Sequence, residues 1–292
     1  MGLVNAWKGF FTSNQEVFEQ KETKTRRRAY SGARVDRNTA SWVTNQTSAD
    51  QEWKQGITRL RSRVHDLVRN NNYAAQAIRY STNQIVGTGV RLQVQTRKRR
   101  TNDLYTQINE QIETQWSMWG RKDSCDVRGV LCFSELERLV VRSMIESGES
   151  FVIMHRKQFG RSKVPIALEV IEADQLDEDY KGKLTEPTNT WRLGIEMDQY
   201  QRAVNYAFLT KHPGDSNFTA PLGMKKHIIV AAKDVIHLFM PQRPGQHRGV
   251  PFLASAISHL HQLDGYIEAS LIRARASSAL MGFIETPEGE LD

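Results

Sequence analysis

From Phe252 to Met281 the chain runs without a proline, and within that run Leu253, Ile257, Leu260, Ile267, Leu271 and Ala274 recur at helical intervals. Apolar residues so spaced share one face of a helix. A helix of about 28 residues reaches about 42 Å at a rise of roughly 1.5 Å per residue, longer than the core of a chain this size usually requires. Its small-residue end, ARASSALMG, suits close packing between parallel neighbours. The six apolar positions are therefore candidates for packing between subunits, with a long buried helix in a monomer as the competing reading.

The rest of the chain separates into a helical part and a strand part. Ile57, Leu60, Val64, Leu67 and Val68 stack on one helix face, Asn70, Asn71 and Asn72 break it, and a second helix from Tyr73 carries Ala74, Ala77, Ile78 and Ile85. Gly87 supplies the left-handed residue that ends helices cheaply. VRLQVQ then alternates as a half-buried strand does. Leu104, Ile108, Ile112 and Trp116 repeat every four residues towards Gly120, and Ser134 with Glu137 forms a capping box ahead of a helix that stops at Gly148. From there to Met240 the segments SFVIMHR, PIALEVI, WRLGIEM, RAVNYAFLT, HIIVAA and DVIHLFM read as strands parted by Gly, Pro, Asp and Asn. The expected class is α+β. The expected divisions are a flexible basic arm over 1–47, a helical region over 48–148, a β-rich region over 149–250, and the long helix with the start of a loop over 251–292.

Charge is unevenly placed. Net charge is +7, yet residues 1–100 hold 19 Lys and Arg against 7 Asp and Glu, while the remaining 192 hold 21 against 26. Such front-loaded basicity favours an anionic partner, nucleic acid or a membrane surface. Two clusters dominate, Lys24 with Arg26, Arg27 and Arg28, and Arg97 to Arg100. No run approaches the roughly 18 to 20 apolar residues of a membrane span. MGLVNAWKGFF lacks a continuous apolar h-region, and Ala6 stands where a myristoylation signal needs Ser or Thr. Leu3, Val4, Trp7, Phe10 and Phe11 there suit core or partner docking better than membrane contact. Cys125 and Cys132 read as reduced thiols and cannot alone make a four-ligand zinc site.

Motifs for catalysis are missing. Gly87-Thr88-Gly89 follows a helix and precedes a strand, the reverse of a dinucleotide fingerprint, and Leu92 stands where that fingerprint needs its third glycine. There is no Walker A loop, no HExxH and no GxSxG. The acidic stretch EVIEADQLDED lacks EF-hand spacing and reads as a solvated loop. His259 and His261, two apart on a helix, diverge, and with His237 and His247 they define no metal set. No cofactor is implied. What remains is arginine where the backbone turns and on the long helix: Arg243, Arg248, Arg273 and Arg275, joined by Lys225 and Lys226. These are candidates for sequence-independent contact with DNA phosphates, or for pairing with nearby carboxylates.

The order of several blocks resembles a known family. DLVRNNNYAAQAIRYSTNQIVGTGVRLQ, ESGESFVIMHR, ALEVIEADQLD, DVIHLFMPQRPGQHRGVPFLASAI and the helix running to MGFIET are similar, in the same order, to the lambda family of tailed-phage portal proteins. The resemblance implies a ring-forming structural subunit and not an enzyme, typically in twelve copies at one capsid vertex of the virion, assembled in the host cytoplasm. Double-stranded DNA passes through its channel in packaging and ejection. Implied partners are capsid and scaffold proteins, the terminase large subunit and head-tail connector proteins, with no membrane. The implied architecture places residues 48–148 in the wing, roughly 202–240 around clip and stem, 252–281 as a stem or channel-side helix, and 285–292 at the start of a channel loop. Family members continue past this point with a further wing helix and a crown, whereas the chain stops at Asp292. A truncated gene, a split portal or a fragment fits that departure, and it leaves open whether this chain closes a ring alone. The alternative function is a monomeric or dimeric DNA-binding protein of the packaging machinery.

Overall fold

The computed structural model describes residues 37, 40–42, 44, 46–99, 102–215 and 226–279. Contacts divide the chain into Met1–Gln46 and Thr47–Asp292. Most of the expected arm, with Lys24, Arg26, Arg27 and Arg28, lies outside the described residues, as do Arg100, Lys225 and the stretch 280–292.

Ser48 caps α1 (Ala49–Asn70) by accepting a hydrogen bond from the Gln51 amide. The Asn70–Asn72 break is a shared boundary: Asn71 ends α1 and caps α2 (Asn72–Val86), its side chain accepting from the Ala74 amide at 2.9 Å. VRLQVQ, expected as a strand, is not one. It is a connection without a strand neighbour among the described residues, two of whose amides are taken by side chains instead, Val90 donating to Glu137 and Val94 to Glu113 at 2.8 Å, and just after it Thr96 donates to Asn109. α3 (Thr106–Trp119) begins after Leu104, and a single turn, α4 (Lys122–Cys125), follows it. The capping box sits two residues earlier than Ser134 and Glu137. Cys132 is the N-cap of α5 (Phe133–Ser147), and Glu135 reaches back to its amide at 2.8 Å.

Among the described residues, seven antiparallel strands follow in two sheets: β1 (Glu149–His155), β2 (Ala167–Ile171), β3 (Thr190–Arg192), β4 (Ile195–Met197), β5 (Ala203–Leu209), β6 (His227–Ala231) and β7 (Val235–Phe239). Their orders are β2-β1-β7 and β3-β4-β5-β6. WRLGIEM, expected as one strand, folds into the β3–β4 hairpin, because Leu193 and Gly194 both take positive φ, 52° and 83°. That pair of angles is what a two-residue hairpin turn requires. Leu193 tolerates it because its side chain is buried against Trp53 and Ile57. The two sheets close on Phe151, Ile195, Tyr206 and Phe208, and α1, α2 and α5 close on Val64, Ile78 and Ile145. The fold is a mixed α+β arrangement.

The final helix, α6 (Ile257–Ala279), begins five residues later than expected. Residues 252–256 form turns, and Phe252 donates its amide to the Ile145 carbonyl at 3.0 Å. That bond ties the entry to α6 to the end of α5.

Candidate functional site

α1 carries a cation in its apolar stripe. Trp53, Ile57, Arg61, Val64 and Val68 lie on one face and all are buried. A buried guanidinium needs a buried anion, and the partner is Glu149, fully buried at the start of β1. Arg61 Nη2 contacts Glu149 Oε1, Nε donates to the Ser147 carbonyl at 2.9 Å, and Nη1 donates to Asp174 at 3.0 Å.

A second guanidinium closes on the same carboxylate. Arg248, only 1% exposed, donates Nε to both Glu149 oxygens at 2.8 and 3.0 Å and Nη1 to the Leu193 carbonyl at 2.7 Å. It lies 4.4 Å from the Trp53 ring centroid. His237 Nε2 on β7 and the Gly249 amide complete the shell at 2.9 and 3.0 Å. Burial alone would push the Glu149 carboxyl up, but Arg248, the His237 hydrogen bond and Arg61 outweigh it and hold the group well below the usual carboxylate range. Burial pushes His237 down, against the pull of Glu149, so its neutral ring donates through Nε2. Arg248, expected on a DNA-facing surface, is thus an interior residue. A turn arginine that meets a buried carboxylate gains more there than at a screened surface.

This cluster fixes the strap, residues 241–251, that leads into α6. Trp53 Nε1 donates to the Gly249 carbonyl at 2.7 Å, and the His247 amide and Nδ1 meet Asp50 at 3.1 and 2.7 Å. Arg243 is exposed and pairs with Glu52 at 2.7 Å and the Thr47 carbonyl at 3.0 Å, the carboxylate pairing weighed for it from sequence. Gly148 and Gly249 pass so close that a Cβ on either would strike the other segment's backbone. Strap and β1 therefore dock backbone to backbone.

Beyond Leu260, the described residues of α6 are exposed except Ile267. Among the six subunit-packing candidates, Leu253 and Ile257 belong instead to the chain's own core with Leu67, Val68 and Ile145. Leu260 packs partly against that core. Ile267 is half-buried, Ala274 is exposed and Leu271 is 54% exposed. Leu263 and Ile272, which the sequence reading did not single out, are exposed too, at 40% and 58%. Arg273 and Arg275 are exposed on the same helix, and Lys226 is exposed just before β6.

Other surfaces among the described residues differ in character. An apolar groove of about 580 Å³ between α3 and the β1–β2 strands is lined by Ile108, Ile112, Trp116 and Met154, with no charged side chain in its wall. The acidic stretch, expected as a solvated loop, has dispersed partners: Glu169 meets His155, Asp174 meets Arg61, Asp177 meets His227 and Asp179 meets Lys54. Among the described residues no group of histidine, cysteine and carboxylate could hold a metal ion. None of the described helices is long and apolar enough to cross a membrane.

The model of the lambda-family phage portal protein matches residues 35–292. The chain belongs to that family. It is 29% identical over 296 residues to the probable portal protein of Halomonas phage phiHAP-1, covering 98% of this chain and 55% of the relative. It is 24% identical over 272 residues to portal protein B of Escherichia phage lambda and 26% identical over 275 to the portal protein of Escherichia phage N15, covering in each case 86% of this chain and 47% of the relative. The chain spans about half the length of these relatives. Portal proteins are structural virion components, so the chain is a structural protein and not an enzyme.

The buried cluster is what the sequence reading missed. Its one signal was Arg61, a cation in register with Ile57, Val64 and Val68, which calls for a buried carboxylate elsewhere in the chain.

Proposed function

We propose that this chain is part of a portal ring subunit, set at the capsid vertex, through whose channel double-stranded DNA is packaged and ejected. The terminase large subunit and the head-tail connector proteins would dock on that ring. The observation that carries the reading is α6, a rod of about 34 Å at 1.5 Å per residue whose described residues beyond Leu260 are exposed, apart from the half-buried Ile267. Leu263, Ile267, Leu271 and Ala274 form one flank, and Gly265, Ala269, Ile272 and Ala276 form the opposite flank. A helix apolar on two opposite flanks suits neighbours on both sides. Different flanks meeting head to tail make a heterologous interface, the kind that closes into a ring larger than a dimer. A conduit must pass any sequence, so base readout would be a hindrance to it.

The wing would then comprise α1 to α5, clip and stem would draw on β5 to β7, and α6 would stand beside the channel. Mass photometry or native mass spectrometry of the assembled protein tests the reading. A ring-sized homo-oligomer is expected. A monomer or dimer that binds short duplexes with a steep salt slope overturns it in favour of a DNA-binding packaging protein.

A further inference from the structure

The apolar groove between α3 and the β1–β2 strands has a fixed floor and basic ends. Beneath it Trp116, Trp119 and Phe133 pack with ring centroids 5.0, 5.1 and 5.3 Å apart, and Trp119 Nε1 donates to the Ile166 carbonyl at 2.7 Å. Ile108, Ile112 and Trp116 follow one another at four residues and make one ridge along α3, of which Ile108 and Ile112 stay 45% and 42% exposed. At the start of α3 the Tyr105 amide donates to the Thr96 carbonyl at 2.9 Å and the Lys98 amide to the Asp103 carbonyl at 2.7 Å. Asn109, in the first turn of α3, accepts from the Thr96 amide at 3.2 Å and donates to its carbonyl at 3.3 Å. Those bonds hold the exposed Arg97, Lys98 and Arg99 at that end of the groove. Past Trp119, at the other end, Arg121, Lys122 and Arg161 line a cavity of about 730 Å³. Its two carboxylates are engaged, Glu135 with the Cys132 amide at 2.8 Å and Asp123 with the Ser124 hydroxyl at 3.4 Å. None of these six cations makes an ion pair among the described residues.

We propose that this groove takes an acidic amphipathic helix of a partner protein, seated by its apolar face on Ile108, Ile112 and Trp116 and by its carboxylates on the cations at the two ends. The proposal is independent of α6 and of the ring. From Ile108 to Trp119 α3 rises about 16 Å at 1.5 Å per residue, room for about three turns of a second helix. A ridge at four-residue spacing is what the ridges of another helix pack beside, and an apolar helix face laid in a groove is a recurring mode of recognition. The packed tryptophan floor keeps the groove formed before binding, which lowers the cost of ordering it. Cations at both ends set the sign of the occupant, because complementary charge steers the incoming helix and fixes its register. A nucleic acid would use those cations alone and leave the apolar ridge in water. The apolar run of this chain from Leu3 to Phe11 carries Lys8 and no carboxylate, so a second copy's first residues have the wrong charge.

The test uses the full chain and a fluorescein-labelled helical peptide of about five turns, with leucines on one face and glutamates elsewhere, read by fluorescence anisotropy. A second peptide carries lysine for every glutamate, and a third copies residues 2–14. The glutamate peptide should bind about tenfold or more tightly than either of the others, and less tightly as salt is raised. Ile112→Glu, at an exposed position, should weaken it about tenfold or more while the melting temperature by circular dichroism holds. Arg97→Glu combined with Arg121→Glu, which leaves the floor untouched, should weaken it as much. No binding, or equal binding of the three peptides, overturns the proposal. If the charge variant loses the peptide and a folded Ile112→Glu keeps it, the contact is electrostatic alone, as a nucleic acid would make, and the groove assignment falls. Tighter binding of the residues 2–14 peptide, or a native mass that drops in Ile112→Glu with no peptide present, gives the groove to a second copy of this chain and overturns the proposal as well.

Discussion

Replacing Arg248 with alanine removes one of two guanidinium groups from a carboxylate that has no access to water. Glu149 keeps Arg61, His237 and the Gly249 amide but loses the Nε bonds to both its oxygens and the Nη2 contact with Oε1 at 2.6 Å, while the Leu193 carbonyl and the Trp53 face lose their partner. Breaking a buried pair by deleting one member costs about 3–5 kcal/mol, and although Arg61 still faces Glu149 here, one side of the carboxylate and the Leu193 carbonyl are left buried without a partner. In a unit of this size each kcal/mol moves the melting temperature by about 2–4 °C, so Arg248→Ala should melt roughly 6–20 °C lower. Urea unfolding followed by circular dichroism should show the same loss, with an unchanged m-value if the native state keeps its compactness. Arg275→Ala, removing an exposed arginine from α6, serves as control and should stay within about 0.5 kcal/mol of the parent. Arg248→Lys should recover little, since an ammonium keeps the charge but not the fork that spans Glu149 and the Leu193 carbonyl. If Arg248→Ala loses less than about 1 kcal/mol, the buried cluster is not what holds the strap.

The same cluster sets a pH dependence. Glu149 is depressed in the folded state and His237 is also depressed, so below about pH 6.5 the unfolded chain binds more protons than the native one. The contribution of both groups is therefore present at neutral pH and lost on acidification, His237 first, and the melting temperature should fall steadily from pH 7 to pH 4 with a smaller fall between pH 6.5 and 5 in His237→Gln. Leu271→Glu places a charge on an exposed position, so it should unfold within about 0.5 kcal/mol of the parent yet abolish the oligomer seen by mass photometry. Cys125 is buried and its thiol is pushed up to about 11, mainly by burial. In the native protein a thiol reagent such as DTNB should titrate Cys132 alone, with Cys125 reacting only on unfolding.

Periodicity made most elements legible in advance. Four of the five longer strands fall within the segments read as strands and β1 begins one residue ahead of its segment, at Glu149, while α1, α2, α3 and α5 fall on the stripes of Ile57, Ile78, Ile112 and Leu136. The failures are of another kind. VRLQVQ has the alternation of a strand but no partner strand among the described residues, and its Val90 and Val94 amides go to Glu137 and Glu113, contacts between positions 47 and 19 apart in sequence. WRLGIEM hides a hairpin because the turn uses Leu193, a residue that takes positive φ only where burial holds it. Arg248 was misplaced for a similar reason. A surface arginine and a buried one look alike in sequence, and only the meeting of α1, β1, β7 and the strap separates them. In α6 the sequence showed length and apolar spacing. It could not show that Leu253 and Ile257 join the protomer's own core while Leu263 and Leu271 stay exposed.

The claim that copies stand flank to flank is tested most directly by cysteines on the two flanks of α6. Ile267→Cys with Ala269→Cys, in a Cys132→Ser background, puts one thiol on each flank of every subunit, pointing apart within the chain and towards different neighbours. Treated with a short bis-maleimide, the assembled protein should give a denaturing-gel ladder that climbs one subunit at a time and ends at the closed ring, while each single-cysteine variant stops at the dimer or below. A double-cysteine ladder that itself ends at the dimer, or no crosslink between chains in an assembly of ring mass, contradicts the account.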